Sequence, residues 1–199
     1  RAEASGDFTL WIDNLRIGTS NNNGGVSLSA PSAIFYGARS TSTGHFQGYM
    51  DELIIYNKTL NEEELGELYD RQASRTSGHL FSQIFDGQGT STTWNSFRWK
   101  TLLPYGKELP DSTSETSSSY PDIASNLMNG IRVLWHMNET TASTAPSSKD
   151  FRDSSGQAKH TDKQGNVAFG ARGRFGKGVR FTGDGEIMGG QALEFGTGS

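Results

Sequence analysis

Gly48-Tyr49-Met50-Asp51-Glu52-Leu53-Ile54-Ile55-Tyr56-Asn57-Lys58-Thr59-Leu60-Asn61-Glu62-Glu63-Glu64-Leu65 runs from a strand into a helix, and its reading decides the fold. Residues 49–56 are the clearest strand of the chain. They are apolar on both faces at their far end, which predicts a strand covered on both sides. The helix that follows has a full set of start signals. Asn61 is placed to cap it, Glu64 three residues on completes a capping box, and Leu60 and Leu65 occupy hydrophobic-staple positions. Glu62, Glu63 and Glu64 suit the positive end of the helix dipole, so the acidic run has a structural explanation. The spacing of Leu65, Leu68 and Tyr69 predicts the inward stripe of a short helix over 61–71.

Working outward, the same period-two signal recurs on both sides. Phe8, Leu10 and Ile12 alternate with Thr9 and Trp11, and Asp13-Asn14 is a tight-turn pair that returns the chain through Leu15–Gly18. Residues 19–25 and 39–45 read as polar loops, with a short strand at Ile34–Gly37 between them. From residue 131 the alternation places Ile131, Val133, Trp135 and Met137 on one face and Arg132, His136 and Asn138 on the other. Residues 140–149 are a Thr/Ser/Ala/Pro loop. Asp153-Ser154-Ser155-Gly156 is a turn in which the aspartate bonds backbone amides two residues on. Val179 and Phe181 alternate with Arg180 and Thr182, Gly183-Asp184-Gly185 turns the chain, and Leu193–Phe195 starts a further strand. Residues 73–130 differ in character. They hold a candidate strand at 80–85, the aromatics Trp94, Phe97 and Trp99, and the low-complexity linker 111–119.

Composition agrees with an all-β chain. The 199 residues include 25 glycines but only 33% hydrophobic residues, so the core must come from sparse, well-patterned strands. The net charge of −4 leaves no electrostatic footprint for nucleic acid. The cluster Arg172, Arg174, Lys177 and Arg180 therefore reads as a solvated strand face. There is no cysteine, hence no disulfide framework. No apolar run is long enough to span a membrane as a helix. A chain that begins at Arg1 without a signal peptide reads as processed, or as a window of a longer protein.

Two segments carry a family resemblance. Gly-x-x-Asp-Glu-x-x-x-Tyr-Asn-x-x-Leu-x-x-x-Glu-Leu at 48–65 resembles the closing strand and helix of a laminin-G-like, concanavalin-A-like domain. Trp135-His136-Met137-Asn138-Glu139, with Asp153–Gly156 and Gly173–Phe181, resembles the opening of the same fold. The end precedes the beginning. The resemblance implies an antiparallel β-sandwich (jelly roll), split or permuted: residues 1–72 the C-terminal half, 73–130 a connector, 131–199 the N-terminal half. The halves can meet within one chain, as in a circular permutant, or between neighbouring copies.

For function, the resemblance implies an extracellular or cell-surface module of one of two kinds. The first is a non-catalytic structural repeat or fibre subunit whose halves complete one another by strand addition, with copies of itself in a head-to-tail homopolymer or with adjacent repeats as partners. The second is a calcium-dependent, lectin-like adhesion module that takes glycans or proteins at loops 19–25, 39–45 and 140–149. Sandwiches of this type often hold a structural Ca²⁺ through the closing-strand aspartate and backbone carbonyls near the first strands. The matching residue is Asp51, with carbonyls around Asn138 and of Gly183 and Gly185 as complements and Asp184 and Glu186 as further oxygen donors nearby. Alternatively, Asp51 accepts hydrogen bonds from loop amides.

No catalytic residues are expected. The chain lacks a nucleophile elbow, zinc-ligand spacing, a phosphate loop, and the Glu-x-Asp-x-x-Glu run of sandwich glycosidases. Asp51 and Glu52 are neighbours on a strand and point to opposite faces, so they do not flank one bond. His45, His79, His136 and His160 are scattered and read as surface residues.

Overall fold

The computed structural model describes residues 8–20, 35–39, 43–73, 106–111 and 127–188, with isolated positions between 81 and 96. The expected strands at 80–85 and 193–195, the aromatics Trp94, Phe97 and Trp99, Ile34, most of loop 19–25 and most of linker 111–119 lie outside the described residues. The described strands are β1 (Phe8–Ile12), β2 (Leu15–Ser20), β3 (Phe35–Tyr36), β4 (Gly48–Met50), β5 (Leu53–Tyr56), β6 (Ile131–Trp135), β7 (Lys163–Gln164), β8 (Val167–Gly173), β9 (Gly176–Phe181) and β10 (Glu186–Met188). One α-helix, α1 (Glu62–Gln72), follows β5. Among the described residues no helix is long and apolar enough to cross a membrane.

Among the described residues all strand pairs are antiparallel and fall into four small sheets, ordered β1-β2, β3-β10-β7, β4-β9-β8 and β5-β6. Three of these sheets join the two ends of the sequence. Tyr36 pairs with Ile187, Met50 with Val179, and Ile55 with Val133. The segments expected to be two halves of one domain therefore interleave their strands within a single chain.

The core follows from that interleaving. Val133, Trp135, Met137, Phe151, Val167, Val179, Phe181 and Ile187 form one buried cluster, and Tyr36, Met50, Leu53 and Ile55 from the other end of the sequence pack on it. Trp135 is fully buried, meets Tyr36 edge-on at 5.4 Å between ring centres, and donates its indole N–H to the Lys159 carbonyl at 2.9 Å. This satisfies the one polar atom of the largest core side chain. The chain passes so close to Phe181 at Gly37, where φ is +82°, that a Cβ there would lie 2.5 Å from the ring.

A second cluster covers the opposite face of the β5-β6 sheet. Leu109, Leu127, Ile131 and Leu134 are buried there with Ile54, Tyr56 and Leu68 against them. The strand read at 49–56 is thus apolar on both faces because it has a core on each. It is interrupted at Asp51-Glu52, where Glu52 takes a φ of +53°.

Two expectations need correction. Ile131 does not share a face with Val133. The register skips Arg132 between the Ile55–Val133 and Tyr56–Ile131 pairs, and an extra residue in a strand turns the next side chain to the other side. Tyr69 is not part of the inward helix stripe but 40% exposed. The helix start is as read. The Asn61 side chain accepts the Glu64 N–H at 2.8 Å and Glu64 accepts the Asn61 N–H at 2.9 Å. The Asp13-Asn14 turn is also present, both residues at positive φ. The Asp153 turn is tighter than expected: its buried carboxylate accepts from the amides of Ser155, Leu134 and Lys159.

Trp135→Ala is expected to cost about 3–5 kcal/mol, the range for deleting a buried large aromatic, whereas Tyr69→Ala is expected to stay within about 0.5 kcal/mol. Urea unfolding of the two variants beside the parent chain measures both.

Candidate functional site

The β4–β5 junction collects the charged side chains. Because Glu52 has a positive φ, the strand does not simply alternate there. Asp51 reaches the turn between β8 and β9, and Glu52 turns towards the chain leaving β6. The ladder Leu53–Trp135 ends the β5-β6 pairing, and the next residues out are Glu52 and His136.

The Asp51 carboxylate accepts hydrogen bonds from the backbone N–H groups of Arg174 and Phe175, the latter at 3.1 Å. It thereby ties β4 to the β8–β9 turn. The Arg174 guanidinium continues the tie, donating to the Gln72 carbonyl at 3.0 and 2.8 Å at the C-terminal end of α1. Arg172, Arg174, Lys177 and Arg180 are all exposed, as read from the sequence.

The residues expected to share a cation with Asp51 are distributed along the sheet. Asn138 is exposed and lies just beyond the end of β6. Gly183 and Gly185 lie in the β9–β10 turn beside Asn166. Asp51 adjoins Gly178 within β9 and bonds the amides that precede that strand, whereas Gly183 and Gly185 lie beyond the far end of β9, which closes at Phe181. The structure brings Asp51 and those two glycines to opposite ends of one strand, whereas calcium ligands lie about 2.3–2.6 Å from a shared ion. Asp184 uses its carboxylate on the backbone and side-chain amides of Asn166, and Glu186 is buried on β10.

The cluster not foreseen centres on His136, which is 6% exposed and not a surface residue. Its Nδ1 lies 2.5 Å from Glu52 Oε1 and 3.6 Å from Glu108 Oε2, and its Nε2 lies 3.2 Å from Asp111 Oδ1. The Asp111 approach is an ion-pair contact rather than an aligned hydrogen bond, since Nε2 has no hydrogen-bond partner. Two ties hold Glu108 in place. Buried Arg71 donates from Nε and Nη2 to the Glu108 carbonyl at 3.0 and 2.7 Å, and Leu109 is fully buried in the second core. Neither segment signals the pair by itself; given the Leu53–Trp135 register, one further residue on each strand sets Glu52 opposite His136.

Burial raises the Glu52 pKa above its usual value, against the pull of His136. Burial alone would lower that of His136, but the hydrogen bond and charge of Glu52, with the charges of Glu108 and Asp111, outweigh it and raise the pKa above 6.5. Beside this cluster, Asp13, Asp51, Glu52, Tyr69, Gln72, Ala73, Arg174 and Phe175 line an open groove of about 530 Å³.

Comparison with known proteins adds no relative: no family model, curated protein or solved structure matches the chain.

A histidine that holds its proton more tightly when folded stabilises the protein fully below its unfolded pKa, and that contribution is lost as pH rises through the folded pKa. Stability is therefore expected to fall as pH rises above about 6.5, and His136→Gln is expected to flatten that part of the profile. Chemical unfolding between pH 5 and 9, in steps of about one unit, measures it. A profile unchanged by the substitution would show that His136 gains no proton affinity on folding.

Proposed function

We propose that this chain is a non-catalytic structural module, extracellular or at the cell surface, built as a permuted jelly-roll sandwich of the laminin-G-like, concanavalin-A-like kind. Its two half-sandwiches complete each other by strand addition, and neighbouring copies assemble by exchanging those halves. The single observation that carries this reading is the pairing of β3, β4 and β5 with β10, β9 and β6. Among the described residues, three sheets are completed only by strands from both halves, so each half is an open template for the other.

The same ladders serve within one chain and between two. The connector 73–130 joins the halves covalently, which makes their pairing intramolecular, so closure within one chain dominates in dilute solution. Exchange gains ground where copies are crowded or tethered in a row. A head-to-tail exchange of this kind does not close and grows as a fibre.

One observation favours a second reading, glycan or protein binding. The groove beside the β4–β5 junction combines two aromatic rings, Tyr69 and Phe175, with the carboxylates of Asp13, Asp51 and Glu52. Rings and acidic acceptors in one concave surface suit a polyhydroxylated ligand. A glycan array probed with the parent chain and with a Tyr69→Ala, Phe175→Ala double variant decides it.

For the structural reading, polypeptides 1–100 and 101–199 are expected to be unfolded apart and to form a one-to-one folded complex when mixed, followed by circular dichroism and light scattering. Refolding the intact chain at high concentration is expected to yield dimers and longer species that dilute slowly to monomer. Halves that fold separately, or an intact chain that stays monomeric at every concentration, would contradict it.

A further inference from the structure

We propose that Glu52, Glu108 and His136 form a binding site for one divalent transition-metal ion of the zinc class. The inference is independent of how copies of the chain assemble.

The donor set points to this class of ion. One ligand atom from each of the three residues lies within 4.8 Å of the other two. One imidazole and two carboxylates suit Zn²⁺, Co²⁺ or Mn²⁺, while Ca²⁺ and Mg²⁺ prefer all-oxygen sets. Ligand atoms of a tetrahedral zinc stand about 3.3 Å apart at bond lengths near 2.0–2.2 Å. The Nδ1–Glu108 separation of 3.6 Å is close to this, and the 2.5 Å Nδ1–Glu52 contact needs to open by less than an ångström.

The second observation is an unsatisfied atom. The Glu52 side chain is 95% buried (5% exposed), and its Oε2 has no hydrogen-bond partner. Leaving a buried carboxylate oxygen unpaired is costly, and a cation beside it removes the cost. The surroundings are those of a held site. Asp111 stands 3.2 Å from Nε2, the ring nitrogen not facing the two glutamates, and adds negative charge beside the site. Arg71 fixes the backbone that presents Glu108. Three ligands leave a fourth position for water or for a ligand from outside.

The test uses the full chain, untagged and stripped with chelator. Titration with Zn²⁺ is expected to show one ion per chain and to raise Tm by about 5–10 °C at a hundredfold excess over Kd. Ca²⁺ at the same concentration is expected to leave Tm unchanged. Glu108→Ala removes a ligand from a partly exposed position and is expected to fold without metal and to bind Zn²⁺ at least about tenfold more weakly. Co²⁺ bound to the unmodified chain is expected to give visible absorption bands of low-coordinate nitrogen and oxygen ligation, displaced by Zn²⁺, which keeps the test valid should the variant fail to fold. No Zn²⁺-dependent shift, an equal shift with Ca²⁺, or binding that survives Glu108→Ala but is lost on replacing His45 or His160 would overturn the proposal.

Discussion

The structure depends on the pairing of Leu53–Tyr56 with Ile131–Trp135. This short ladder joins positions more than seventy residues apart in sequence. Closing a loop of that length costs on the order of 4 kcal/mol plus a constant. Four cross-strand pairs at about 0.2–1 kcal/mol each offset that at best. The surplus comes from the two faces. Val133 and Trp135 enter one core, Leu134 and Ile131 the other, and each fully buried side chain of this size contributes about 1.5–3 kcal/mol. A two-sided sheet placed where the halves meet couples them, since both cores draw buried side chains from it.

The charged groups are arranged around the same ladder. Where the pairing ends, the next residues on each strand are Glu52 and His136, and positive φ at Glu52 and Met137 turns the two chains there. A buried imidazole and a buried carboxylate thus close the end of the sheet, while Asp51 on the neighbouring position ties β4 to the β8–β9 turn. Arg71 and Arg174 extend the arrangement to α1: one donates to the Glu108 carbonyl and the other to the Gln72 carbonyl. The helix is therefore anchored both by its apolar contact through Leu68 and by polar ties near its last turn.

What was legible in the sequence was local. The Asn61–Glu64 capping box, the Asp13-Asn14 turn, the Asp153 turn and the strand that is apolar on both faces each rest on residues a few positions apart, and local chemistry decides them. Ile131 was misplaced because a bulge depends on the partner strand, which alternation within one strand does not reveal. His136 is adjacent to Trp135 and so takes the other face, yet that face is covered by Leu109 and Leu127, with Glu108 and Asp111 beside the imidazole, all distant in sequence. The Glu52–His136 contact spans 84 positions. It becomes readable only once the two halves are aligned in register. Gly183 and Gly185 lie beyond the end of β9 away from Asp51, a separation that turn composition does not carry.

The most direct measurement is nuclear Overhauser spectroscopy on the isotope-labelled monomeric chain, focused on the backbone protons of residues 53–56 and 131–135. One shared fold predicts cross-peaks between Ile55 and Val133 and between Leu53 and Trp135, whose backbones lie about 5 Å apart in an antiparallel pair. Cross-peaks confined within 8–73 and within 127–188, with none between the two sets, would contradict it.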